Sequence, residues 1–181
     1  MDFNLWMEVL QKPKDVFKAQ KGKGDIGKGV MNFAIAYLIV GVIYAIFAIA
    51  VPVAAVTILF STLIGGIIGS FIGVGVLYLV AMLLGGKGSF EDMYYLLSIF
   101  AAPITILGII PFVGFLASLY GLYLLTLAIM EVHGFDTLKA VLVWLIPAIV
   151  VGVLVAVVFA AFFATLFGAG AFGAMGGKLP Y

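Results

Sequence analysis

Cysteine and arginine are both absent from this chain of 181 residues, and histidine occurs once. Without cysteine there is no disulfide framework, no zinc–thiolate or iron–sulfur centre and no thiol nucleophile. Without arginine there is no planar fork for bidentate phosphate binding and no arginine finger, since all nine basic residues are lysine. Charge of either sign is scarce: 9% of residues are charged and 66% are hydrophobic, whereas soluble domains carry about 25% charged residues. A net charge of +1 gives no expectation of a nucleic-acid partner.

What the chain has instead is long uncharged stretches. Residues 29–86 contain no charged side chain, and as one helix they would extend roughly 85 Å. The hydrocarbon core of a bilayer is only about 30 Å thick, so this stretch must fold back once and give two spans, about 30–50 and 56–84, with Pro52 at the reversal. Residues 93–130 supply two shorter spans that meet near Pro111, and 140–167 supply the last. The expected fold is an all-α integral membrane five-helix bundle, multi-pass, and placed in the cell membrane if the source is prokaryotic. The expected organisation is a basic leader at 1–28, the five-span domain at 29–167 and a loose glycine-rich tail at 168–181. Although Ala48-Ile49-Ala50 mimics a signal-peptide cleavage site, the first apolar run exceeds the ~7–15 residue core of a secretory signal and lies behind a charged leader. An uncleaved signal-anchor span is expected.

The charges test the span count. The leader holds Lys12, Lys14, Lys18, Lys21, Lys23 and Lys28, the second connector Lys87, Glu91 and Asp92, and the fourth Glu131, His133, Asp136 and Lys139. The first and third turns hold none. With five spans every charge except that of Lys178 lies on one side, and lysine excess marks the cytoplasmic side. The N-terminus is therefore expected in the cytoplasm and the C-terminus outside. In the leader, Phe3, Trp6 and Leu10 recur at helical spacing, Pro13 interrupts, and Val16 and Phe17 follow. Two readings fit: a solvated linker with a few apolar contacts, or an interfacial helix with aromatics in the headgroups and lysines on anionic lipid.

Small residues recur four apart at Gly65, Gly69 and Gly73 and again at Gly152, Ala156 and Ala160. Such faces let helix backbones approach closely; packing within one bundle is the first expectation and a homo-oligomer the second. No acidic or basic side chain falls within a span, which counts against proton relays, ion pumps and carriers of charged solutes. Tyr44 and Tyr120 lie deep enough for their hydroxyls to need a partner helix. His133, Glu131 and Asp136 are too few and too loosely held for a metal site. Ser70 has no base to activate it. The segment GGKGSF at 85–90 lacks phosphate-loop spacing and reads as a glycine-terminated helix followed by Ser89 as an N-cap, with Asp92 completing a capping box. No catalytic residue, cofactor or metal is expected. Pro103, Pro111 and Pro147 are expected as helix breaks, and Lys87, Glu91, Asp92, Glu131 and His133 as a cytoplasmic recognition face.

The order of these features resembles the Yip-domain family of five-span membrane proteins, named for interaction with Ypt/Rab GTPases. The likeness rests on Trp6, Pro13 and Phe17 in the leader, then GGKGSF at 85–90, Pro103 and Pro111, Glu131-Val-His133-Gly134, and Pro147. For eukaryotic members the resemblance implies membrane trafficking and small-GTPase partners. Residues 1–28 hold no counterpart of the long acidic and aromatic N-terminal region of those members, so the chain is similar to the compact bacterial or archaeal type, whose role is unassigned. The expected function is a non-enzymatic membrane protein that organises lipid or a membrane or cytosolic protein partner. The alternative is a channel, transporter or lipid-translocating protein for uncharged or amphipathic substrates, with its prolines breaking helices around a site.

Overall fold

The computed structural model describes residues 3–175, with side chains as far as 165. Among the described residues there are seven helices and no strand: α1 (Phe3–Gln11), α2 (Pro13–Gln20), α3 (Ile26–Phe47), α4 (Pro52–Leu83), α5 (Phe90–Leu107), α6 (Pro111–His133) and α7 (Thr137–Met175). Five of them, α3 to α7, are long and apolar enough to cross a membrane. The protein is an all-α multi-pass membrane protein. α7 continues as helix to Met175, through most of the segment expected as a loose tail; residues 176–181 lie outside the described residues.

Local chemistry sets the helix ends. Pro52 and Pro111 each sit at the first helical position, where the missing N–H costs nothing and the fixed φ suits the turn. α4 closes in a Schellman motif: Gly86 N–H donates to Ala81 O (2.9 Å) and Gly85 N–H to Met82 O (3.0 Å). Gly85 has φ +88°, which suits glycine alone among common residues. α6 ends at Gly134, with φ +69° and its N–H on Met130 O. Ser89 caps α5 by accepting from Asp92 N at 3.1 Å. The capping box is only half formed, because the Asp92 carboxylate turns away to accept from Gly24 N. Of the three expected breaks only Pro111 falls at a helix boundary. Pro103 and Pro147 lie inside helices that continue past them, since membrane helices tolerate proline where neighbours re-satisfy the freed backbone.

The chain forms two compact units, 1–144 and 145–181. Unit 2 is the continuation of α7, whose residues 148–165 are exposed on every face. Unit 1 is built around α5. Every residue from Met93 to Phe100 is buried, as are Ala102 and Pro103. α3, α4 and α6 pack against α5, and so does α1, while α2 packs against α6. The Tyr94 ring is wholly buried, stacked on Phe71 at 4.4 Å and tilted against Phe33 at 5.5 Å.

The leader is therefore not a solvated linker, because its apolar side packs into the protein. Trp6, Val9, Val16 and Phe17 are all buried in the core of unit 1, with Phe17 edge-on to Phe100 at 6.0 Å. Burial of each such side chain stabilises by about 1.5–3 kcal/mol. The lysines Lys12, Lys14, Lys18 and Lys23 remain exposed on the opposite side.

The glycine faces also differ from expectation. A Cβ added at Gly65, Gly69 or Gly73 would meet nothing within 4 Å, and the same holds at Gly152; Ala156 and Ala160 are exposed. Within the chain, the close approach is one position over: Gly66 lies flat against the Tyr37 ring, and Gly29 against Tyr94, whose Cδ1 would be 2.6 Å from an added Cβ. At the α5–α6 turn, a Cβ on Gly114 would stand 2.8 Å from Gly108 O. Gly66→Leu is expected to lower the melting temperature in detergent by the equivalent of about 1–3 kcal/mol, the usual cost of overpacking, while Gly69→Leu leaves it unchanged. Equal losses in the two variants would place Gly69 against a second helix.

Candidate functional site

Three polar segments distant in sequence converge at one end of unit 1. The loop after α2 reaches both connectors: Lys21 Nζ lies 3.4 Å from Glu131 Oε1, and Gly24 N–H donates to Asp92 Oδ1 at 2.8 Å. The α4–α5 connector is tied in turn to the end of α6, where Gly88 N–H donates to His133 Nδ1 at 3.1 Å. Two glycines permit this closeness. A Cβ on Gly24 would be 2.5 Å from Asp92 N, and one on Gly88 would run into Val132.

The five residues expected to form a recognition face are thus brought together, with unequal access. Lys87 and Glu91 are exposed. Asp92 and Glu131 are half-buried and engaged with the leader. His133 does not reach the surface: it is 4% exposed, stacked on Phe135 at 5.6 Å and tilted against Tyr78 at 6.0 Å. Its Nδ1 accepts a hydrogen bond from the Gly88 N–H, so the neutral ring carries its own proton on Nε2, which faces Met93 Sδ at 3.4 Å. His133 is a fastener between connectors. Asp136 Oδ1 accepts from Lys139 N at 3.0 Å and caps α7. Each member of the Glu131–His133–Asp136 trio has a separate structural partner, and among the described residues no three His, Asp or Glu side chains form a metal-holding group.

A second polar set lies inside the helices. Trp6 Nε1 donates to Asn32 Oδ1 at 3.2 Å, Asn32 Nδ2 to Ser98 Oγ at 2.9 Å, and Ser98 Oγ to Tyr95 O at 2.7 Å. This chain joins α1, α3 and α5. Ser70 Oγ donates to Ile67 O and meets Tyr94 OH at 2.8 Å, so it is committed to packing. Tyr120 OH donates to Leu10 O at 2.8 Å, which supplies the partner its depth required; Tyr44 is exposed. Sequence reasoning missed Asn32. Its signal was there to see, because it is the one side-chain amide within the uncharged runs.

The model of the Yip1 domain matches residues 7–160. The chain belongs to the Yip1-domain family. The match begins within α1, so the buried leader of this Yip1-domain protein is part of the domain and not an appendage to it. No curated protein and no solved structure matches the chain.

Asn32→Leu would leave Trp6 Nε1 without its acceptor in an apolar interior, and an unmatched buried polar group costs about 1–3 kcal/mol. A lower melting temperature is expected in detergent, partly restored when Trp6→Phe removes the stranded donor. An additive double variant would show that the Trp6–Asn32 bond carries no coupling.

Proposed function

We propose that this Yip1-domain protein is a non-enzymatic membrane organiser that presents one polar end to a protein partner in the cytoplasm. The observation that carries this reading is the fastening of the leader and two connectors into one platform by the Lys21–Glu131, Gly24–Asp92 and Gly88–His133 contacts. On that platform Lys87 and Glu91 stand exposed with their charges uncommitted among the described residues. A rigid surface loses little ordering entropy on association, which suits it to recognition. Lysine excess supports a cytoplasmic placement, since eight of the nine lysines belong to the leader and the two connectors. The cell membrane is the site if the source is prokaryotic.

Orientation is tested by single cysteines, since the native chain has none. Lys87→Cys and Thr137→Cys should resist impermeant thiol reagents in intact cells, while Lys178→Cys should react. Labelling at position 87 from outside would overturn both span count and orientation.

Function is tested with a photo-crosslinking residue at position 91 and, as a lipid-facing control, at exposed Ile64. A discrete protein adduct should form from position 91 alone and be lost on Lys87→Glu. Absence of any adduct, together with robust solute or ion flux in proteoliposomes, would overturn the organiser in favour of a channel or transporter.

A further inference from the structure

Away from Lys87 and Glu91, a cavity of about 600 Å³ opens between the leader and the start of α3. That volume lies within the roughly 300–1,000 Å³ of small-ligand sites. Its lining is divided by chemistry. Asp25, Lys28 and Gln20 supply polar groups, Asn32 forms part of the wall, and Leu5 and Met31 supply apolar surface. Asn32 is buried and held from both sides by Trp6 and Ser98, so this part of the wall is fixed.

Asp25 and Lys28 carry opposite charges into the same cavity, yet among the described residues neither belongs to an ion pair. One Asp25 oxygen accepts from the backbone N–H of Lys28 at 2.9 Å, which leaves the other for a ligand. The lining is thus electrically neutral but split into a cation and an anion. A ligand carrying a phosphate and an ammonium a few bonds apart matches that split. A purely anionic headgroup would face the Asp25 carboxylate unfavourably, and a quaternary ammonium has no N–H to donate to it.

Depth supports the same occupant. Lys28 is the last charged residue before the uncharged run 29–86, so the cavity lies where the apolar layer begins. Met31, next along α3, is 54% exposed and offers apolar surface toward the acyl chains of a lipid. We propose that this cavity holds the phosphoethanolamine headgroup of a phospholipid, with the phosphate on Lys28 and the primary ammonium on Asp25.

The test uses the purified full chain in detergent, titrated with dihexanoyl phosphatidylethanolamine, phosphatidylcholine or phosphatidylglycerol and read by native mass spectrometry and thermal shift. The ethanolamine lipid should bind about tenfold more tightly than the other two, which share its phosphate, a difference that the one charge-assisted hydrogen bond from the ammonium to Asp25 supplies. Lys28→Gln and Asp25→Asn should each weaken it by roughly fivefold or more. Asn caps helices as well as Asp does, so Asp25→Asn should keep the lipid-free melting temperature and separate binding from folding. Lys87→Glu should leave lipid binding intact, so failure of the partner surface and failure of this site are distinguishable. Equal binding of the three lipids, or unchanged binding in both cavity variants, would overturn the assignment. Equally tight binding of water-soluble glycerophosphoethanolamine would overturn a membrane lipid as the occupant.

Discussion

A polar atom carried into an apolar layer must find its partner inside the protein, because no water is there to supply one. α5 meets that requirement by reaching to neighbouring elements at four of its polar positions. Asp92 takes the backbone of Gly24 just before α3, Tyr94 takes Ser70 on α4, Tyr95 meets Gln20 of α2, and Ser98 takes Asn32 on α3. Hydrophobic contact alone would let these helices slide, since lipid tails are as apolar as leucine. The hydrogen bonds set depth and rotation, and the stacking of Tyr94 on Phe71 and the closeness of Gly29 follow from that register.

The docking of the leader divides its two sides between two tasks. The apolar side, from Trp6 to Phe17, completes the cover over α5 and α6, while the lysines point outward. The loop that follows, from Lys21 to Asp25, then links the interior to the polar end of unit 1 through Asp92 and Glu131. The exposed ion pair there is worth little, about 0–1 kcal/mol. The Gly24–Asp92 hydrogen bond and the glycine closeness behind it are the firmer tie. A single segment thus helps to hold the core and to shape the polar surface and the adjoining cavity.

Helix existence and most helix ends were legible in the sequence because they depend on local chemistry. Pro52 and Pro111 marked chain reversals where helices open, Ser89 capped one and the glycine at 85 closed one, whereas the closure at Gly134 went unread. What the sequence could not convey was which neighbour covers a given side. The spacing of Phe3, Trp6 and Leu10 announces an apolar side without saying whether lipid or a neighbouring helix covers it. The four-residue spacing of Gly65, Gly69 and Gly73 announces a narrow helix face without its direction, and the close approach fell on Gly66 beside it. His133 misled for a related reason: a polar residue on a short connector reads as exposed until Gly88, Phe135 and Tyr78 are placed around it. A proline within an apolar helix is ambiguous in the same way, since neighbours and not the residue decide whether the helix stops.

The leader's position also orders the making of the protein. α1 and α2 are made before the helices that cover them: Trp6 meets Asn32, 26 residues on, but Gln20 meets Tyr95, 75 residues on, and Leu10 meets Tyr120, 110 residues on. Synthesis runs at about 5–20 residues per second, so for several seconds the amphipathic pair lacks the α5 and α6 surfaces that cover its apolar side. A segment made before α5 and α6 thus settles only once they are in place.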